Sequence, residues 1–535
     1  MLYQNGIHVR MHTQGDDVRR FGSLQALGLT LMAPLLALTC VSSWAARDFT
    51  PQAGTWVISD EVDGRPGRGF AIDVQGNTFF MQVFGYEKNG DATFYAASGQ
   101  MEGNTVIAPL MRYQGGRSFG SEPRDAQEDK SMGDVTLSFR NGLQGTIQLP
   151  GEPAEAIERY VFVGRDAPYY QAQAGRETTQ EALWLGLNAQ GQVVSDWRAE
   201  LQSGVDLLRL TLSKGDVRNT LDCERPAQSQ SIRCVAANAE LAPVVQAAEF
   251  RSLGPQVTGT LTLQADTTTP LRLQGSNIRT YLERCVPVVI TGCYSEGWDS
   301  YSTYEGSYRR TPTYLPSNGT WLVQDERTGK PGRGISLDVQ GDTMLMQVFG
   351  YRADGQPSFY MGFGRYASEF ERSTTSSASF VLNRYAGGRS LGGAPASGQL
   401  LEEAGEVAVQ LTAVGATSLT QAMLQFPGEA PKPMQRFTLD AMQTAEEKLF
   451  GEWYMPWIPM PVILDRMDGD SATNAEGSVR CQPAQGISYV QCEWKNSSNL
   501  MPFGLISDPF FVSSAAVRVR DRHGNLTGLG DVPLN

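Results

Sequence analysis

The sequence predicts an all-β protein in which two eight-stranded antiparallel meander barrels are each followed by a smaller, disulfide-stapled β-domain. Three observations carry this reading. Gly54-Thr55-Trp56 opens a segment that returns 265 residues later as Gly319-Thr320-Trp321, and the match runs without a gap to Phe94-Tyr95 and Phe359-Tyr360. A duplicated stretch of that length is a folding module. Within each copy, short alternating runs are broken by Gly, Asn and Asp at the spacing of antiparallel strands, and long helical periodicity is absent. Finally, the cysteines fall in close pairs, two of which follow the two copies at the same spacing.

Taken in order, residues 1–45 read as a secretory leader: Arg19 and Arg20, an apolar run from Leu24 to Leu38, then the small-x-small site Ser43-Trp44-Ala45. Cys40 raises lipid attachment, although Ala37-Leu38-Thr39 before it fits the usual attachment box poorly. Residues 48–170 form the first barrel. Its first hairpin can be set in register about Gly76-Asn77, which places Val74 opposite Phe79, Ile72 opposite Met81 and Phe70 opposite Val83 on one apolar face. The other face carries Asp73, Gln75, Phe80, Gln82 and Phe84. Further strands are expected at Ala92–Met101, Thr105–Tyr113, Asp134–Phe139, Gly145–Leu149 and Glu158–Phe162, which with the Gly-x-Trp strand make eight. A two-sheet sandwich competes with the closed barrel. Residues 316–438 repeat the unit, with Val339, Leu337 and Ile335 facing Met344, Met346 and Val348 about Gly341-Asp342.

Residues 172–280 and 440–535 begin with Leu183-Trp184-Leu185 and Leu449-Phe450-Gly451, and carry Cys223 with Cys234 and Cys481 with Cys492. Between the halves, 281–315 reads as a Tyr-rich linker that starts with Cys285 and Cys293. Three local disulfides behind a leader imply an oxidising compartment, so the chain is expected to be periplasmic or secreted, with association to the outer membrane compatible. No pair has Cys-x-x-Cys spacing and histidine is scarce, so neither a metal nor another cofactor is expected. Beyond the leader no apolar run reaches the length of a membrane helix. The net charge of −13 argues against nucleic acid as a partner. Of three histidines only His523 lies beyond the leader, in the turn-like Asp521-Arg522-His523-Gly524-Asn525, where an exposed turn residue is expected rather than a catalytic imidazole.

The order Gly-x-Trp, Gly-x-Gly, Gln-Gly-Asn/Asp, an aromatic strand ending in Tyr86 or Tyr351, then Phe94-Tyr95 or Phe359-Tyr360 resembles a repeated β-domain of functionally uncharacterised secreted proteins of Gram-negative bacteria. Gly133 to Phe139 and Arg159-Tyr160-Val161-Phe162 also fit, and Phe84, Phe94, Phe349 and Phe359 stand where that family often has Trp. Gly-x-Trp and the meander are distantly similar to calycins, the lipocalin and avidin-like barrels. The resemblance implies a fold and a compartment and no mechanism.

Three sets of residues are candidate sites. The loops Arg112 to Ser118 and Arg384 to Ser390 set Arg117 and Arg389 beside the glycine pairs Gly115-Gly116 and Gly387-Gly388, whose N–H groups and guanidinium forks suit a carboxylate, sulfate or phosphate. The alternative is a turn whose arginine pairs with an acid such as Asp73. The second set is the amide and aromatic face: Gln82, Gln347, Tyr86, Tyr351, Asp73 and Asp338, with Phe84, Phe94 and Tyr95. Facing out it would bind a sugar or a partner; facing in it would line a cavity; otherwise it packs on the neighbouring smaller domain. The third is the acidic group Asp60, Glu61 and Asp63, with Asp325 and Glu326, read as a solvated turn with paired-carboxylate catalysis or calcium as alternatives.

These readings favour a non-enzymatic exported binding or interaction protein of the envelope or extracellular space, whose partner is a small molecule, a glycan or an envelope protein. The alternatives are a carboxylate-based glycoside hydrolase acting on a polysaccharide, and a secreted protease or lysozyme inhibitor. An open barrel lined by Asp73, Gln75, Gln82 and Phe84 would point to a small ligand inside. A solid core of Phe70, Ile72, Val74, Phe79, Met81 and Val83 would move function to the outside.

Overall fold

The computed structural model describes residues 46–162, 176–285 and 316–528, except for short stretches within the last two spans. The leader with Cys40, and the linker from 286 to 315 with Cys293, lie outside the described residues, and with them the Cys285–Cys293 pairing. The first barrel is built from β1 (Gly54–Ile58), β2 (Gly69–Gln75), β3 (Thr78–Tyr86), β4 (Ala92–Gln100), β5 (Thr105–Gln114), β6 (Gln127–Asn141), β7 (Gln144–Gln148) and β8 (Ala154–Arg159). They run antiparallel in chain order, and β1 pairs with β8 to close the sheet. The first hairpin has the register read from the sequence: Val74 opposite Phe79, Ile72 opposite Met81, Phe70 opposite Val83. Gly76 makes its turn at φ +57°, a left-handed conformation that glycine adopts without cost.

That apolar face is the inside of the barrel. Phe70, Ile72, Val74, Phe79, Met81 and Val83 join Trp56, Leu110, Leu137 and Phe139 in one buried core, so the interior is filled with side chains. The second repeat reproduces it, with Val339, Leu337 and Ile335 opposite Met344, Met346 and Val348. Its sheet closes where Pro357–Arg365 pairs with Thr375–Ala386. Two strands differ from expectation. β6 starts at Gln127 rather than Asp134, because its first half is a polar extension paired to Met111–Gln114. β8 spans Ala154–Arg159 rather than Glu158–Phe162: its only buried aliphatic is Ile157, a weak signal, whereas Tyr160 and Phe162 leave the barrel towards the second repeat.

The domain after the first repeat is also a closed eight-stranded barrel, from Arg176–Leu187 to Asp266–Cys285, with Trp184, Trp197 and Phe250 in its core. Its last strand pairs with Arg176–Leu187 as far as Cys285, so 281–285 belongs to the barrel rather than to the linker. Among the described residues the C-terminal domain has eight strands, in sheets of three and five. In both, the disulfide joins directly opposed residues of a hairpin, Cys223 with Cys234 and Cys481 with Cys492. The middle barrel offers Leu183, Leu185 and Leu187 on its outer face to Tyr454, Val519 and Leu526 of the C-terminal domain. The main apolar docking thus alternates, first domain with third and second with fourth, and the C-terminal domain also reaches the first barrel, where Asn525 donates to Asn77 and the Thr50 N–H to Gly528 O.

The Gly-x-Trp motif occurs a third time as Gly451-Glu452-Trp453. In all three the glycine has positive φ (+129° at Gly54, +116° at Gly319, +137° at Gly451) and the indole N–H donates to the carbonyl four residues earlier. Each Trp pairs across the sheet with an arginine of the last strand: Trp56 with Arg159, Trp321 with Arg436, Trp453 with Arg518.

Candidate functional site

In the two repeats that arginine reaches out of its own barrel. Arg159 donates to Asp338 of the second repeat through Nη1 at 2.7 Å and Nη2 at 2.6 Å, and the Thr55 N–H adds a bond to the same carboxylate at 2.8 Å. Arg436 and the Thr320 N–H hold Asp73 of the first repeat in the same way, at 2.5, 2.8 and 2.9 Å. The glycine of Gly-x-Trp makes room for this pair: a Cβ on Gly54 would lie 2.3 Å from Arg159 and 2.8 Å from Asp338, and one on Gly319 2.5 Å from Arg436 and 2.7 Å from Asp73. Gln75 and Gln340 flank the pairs. Each donates its amide to a carbonyl of the other repeat, Phe437 or Tyr160, and accepts an N–H from Leu439 or Phe162.

The arginine loops are exchanged too. Arg117 donates to Glu326 at 3.0 Å and to Glu429 at 3.1 Å, where Arg333 already clamps both carboxylates. Arg389 donates to Glu61 at 2.5 Å and Glu152 at 3.4 Å, which Arg68 clamps from its own barrel. Gly120 and Gly392 each cap the buried glutamate with an N–H. Gly115 N–H donates to Gly355 O and Gly387 N–H to Gly90 O, while Gly116 and Gly388 lie flat against the rings of Tyr351 and Tyr86.

Between the barrels is an apolar layer. Phe84, Tyr86 and Phe94 meet Phe349, Tyr351 and Phe359, with ring centroids 5.5–5.8 Å apart in tilted or edge-on pairs. Gln347 donates to Thr55 Oγ1, and Gln82 fills the space above Gly334. The candidate residues Arg117, Arg389, Gln82, Gln347, Tyr86, Tyr351, Asp73 and Asp338 thus come together, each opposite the other repeat. Tyr95 turns into its own barrel core, while the face of Phe84, Tyr86 and Phe94 is turned neither to open solvent nor into a barrel cavity, nor onto the smaller domain. It is covered by the other copy of itself, which is why both faces of β2 and β3 are buried. Because the arginine–aspartate pairs, the glutamine bonds and the arginine-loop contacts each occur twice, the arrangement is that of an isologous dimer within one chain.

The acidic turns are spent in the same place. Glu61 and Glu326 sit in the guanidinium clusters, Asp63 accepts Arg65 N–H and Ser397 Oγ, and Asp325 pairs with Lys432 at 2.8 Å. Among the described residues no group of metal-ligating side chains is gathered. His523 lies in its turn with Nε2 3.2 Å from Asp440 and beside Arg522, so its neighbours are a carboxylate and a guanidinium rather than a nucleophile. The sequence reading missed Glu152, Glu429, Arg68 and Arg333. All four recur at matching places in the two copies, and comparing the copies position by position would have exposed them.

Burial raises the Glu152 carboxyl, but bonds from Arg68 and Gly392 N–H, with the charge of Arg68 and Arg389, outweigh it and hold the group below the ordinary carboxylate range. Glu429 is lowered likewise, against burial, by Arg333, Gly120 N–H and Arg117. A carboxylate lowered on folding adds stability above its unfolded pKa and loses it as pH falls through the lowered folded value. Glu152→Gln is therefore expected to be less stable than wild type at neutral pH and to lose less on acidification; urea midpoints at pH 7 and pH ~3 test this, and parallel pH curves would contradict it.

A groove of about 620 Å³ opens at the rim of the interface, where the turn Glu87 to Asp91 meets Arg352 to Gln356. Its wall takes Tyr95, Arg112 and Lys130 from the first repeat and Arg352, Gln356 and Leu391 from the second. At the matching place on the other side, Phe119 packs on Tyr360 and Phe426 with centroids 4.7 and 5.2 Å apart. No family model matches the chain, and no curated protein matches it. No helix among the described residues is long and apolar enough to cross a membrane.

Proposed function

We propose that the protein is a non-enzymatic, exported binding protein of the envelope or extracellular space whose ligand sits in the groove between the paired repeats. The observation that carries this is the composite wall: the groove exists only where the two copies meet. It also lies in the size range of small-ligand sites, ~300–1,000 Å³. The filled barrel cores, and the use of the loop arginines and acidic turns in inter-repeat ion pairs, support placing the ligand there rather than inside a barrel or on the glycine loops.

A thermal-shift screen of small molecules and oligosaccharides tests it with wild type, Leu391→Trp, which fills the groove wall, and Lys88→Trp on the exposed turn. A true ligand is expected to raise the unfolding temperature of wild type by roughly 2–8 °C at saturation and to leave both variants unmoved. Equal shifts in all three proteins would place binding elsewhere.

A further inference from the structure

We propose that the groove selects a carboxylate-bearing saccharide; this rests on the groove being the binding site. The two repeats provide the comparison. The groove is lined by four cations, Lys88, Arg112, Lys130 and Arg352, against two carboxylates, Glu87 and Asp91. The corresponding positions on the other side of the pseudo-twofold axis hold two cations, Arg352 and Arg384, against four carboxylates, Glu87, Asp91, Asp354 and Glu402. Lys130 has become Glu402 and Lys88 has become Ala353. The wall positions carry more cations than carboxylates and their counterparts the reverse, a difference between the two copies that the net charge of −13 does not produce; Asp129 and Asp354, just behind the wall, balance the two arginines and leave the lysines as the charges that distinguish this side.

The two arginines are already engaged. Arg112 donates to Glu87, Asp129 and Gln356, and Arg352 to Asp91 and Asp354. The groove carboxylates are thereby neutralised. Lys88 and Lys130 have no carboxylate within ion-pair distance among the described residues, so two exposed lysines line the groove as point charges for an anion. The Gln356 amide accepts from Arg112 through its oxygen and keeps its NH2 for an acceptor; Ser390 is also at the wall. Amide and hydroxyl donors suit sugar hydroxyls. Tyr86 and Tyr95 are 1% and 2% exposed, so no ring face is offered for stacking, which disfavours a nucleobase or other aromatic anion.

Calorimetric titration of the intact protein with trigalacturonate, maltotriose, tetraglutamate peptide and inorganic phosphate tests the assignment. Trigalacturonate is expected to bind, to weaken with added salt, and to weaken at least tenfold in Lys88→Glu/Lys130→Glu, while the exposed control Arg218→Glu is unchanged. Maltotriose binding equally well, phosphate or tetraglutamate binding more tightly, or an unaffected double variant would overturn it. The two readings fail separately. A neutral ligand blocked by Leu391→Trp leaves the groove as the site and removes the anion assignment; trigalacturonate binding that Leu391→Trp does not change removes both.

Discussion

Asp338→Ala lowers the unfolding free energy by about 3–5 kcal/mol, the cost of leaving a buried guanidinium without its partner. Both side chains of the Arg159–Asp338 pair are 1% exposed, and the carboxylate holds the Thr55 N–H as well as the arginine fork. Removing it takes the carboxylate from the Arg159 fork and from the Thr55 N–H at once, although Nη1 keeps the carbonyls of Thr55 and Tyr160. Asp73→Ala is expected to match it, since Arg436 and Thr320 N–H stand in the same relation. The double variant Arg159→Met/Asp338→Leu is expected to recover most of the loss, because an apolar pair leaves no buried charge behind. Urea titration followed by tryptophan fluorescence measures all three. A single variant within ~0.5 kcal/mol of wild type would show that the pair does not hold the repeats together.

Gly388→Val costs about 2–3 kcal/mol by overpacking. A Cβ at Gly388 would lie 2.1 Å from Cε2 of Tyr86, and one at Gly116 2.2 Å from Cε2 of Tyr351. Neither ring can retreat easily. Tyr86 is edge-on to Phe359 at 5.7 Å, and its hydroxyl is pressed against Gly398. Neither glycine has a positive φ, so the penalty is steric and comes from the facing repeat. Tyr86→Leu in the Gly388→Val background is expected to restore part of the loss; thermal unfolding of the single and double variants would decide, and a fully stable Gly388→Val would show that the loop is not clamped.

The inside of each barrel was legible in the sequence and its outside was not. Val74, Ile72 and Phe70 alternate with polar residues about a turn glycine, and period-two alternation determines a hairpin's register from local information alone. Asp73, Gln82 and Phe84 alternate just as regularly. Nothing local says what covers them, because their partners lie hundreds of residues away: Arg436 is 363 positions from Asp73. The loop arginines, read as an anion site or as turn residues paired with an acid such as Asp73, do pair with acids, but with acids of the other repeat that no local signal names. Arg117 next to two glycines looks like an anion site, and it does bind carboxylates, but they are Glu326 and Glu429. Gly451-Glu452-Trp453 was legible in principle and was obscured by the weaker Leu449-Phe450 run beside it.

The alternating docking of the four domains sets a timetable. The chain emerges from its N-terminus, and the first barrel cannot bury Phe84, Tyr86 and Phe94 until the third domain exists. The 363 residues from Asp73 to Arg436 must first be delivered to the place where the chain folds. Throughout that interval a closed barrel carries an uncovered aromatic flank, and the middle barrel soon adds its own leucines. A newborn chain of this design presents the surface that another newborn copy would fit. Its folding is therefore a race between the late arrival of its own second half and an encounter with a neighbour, decided by how crowded the nascent chains are.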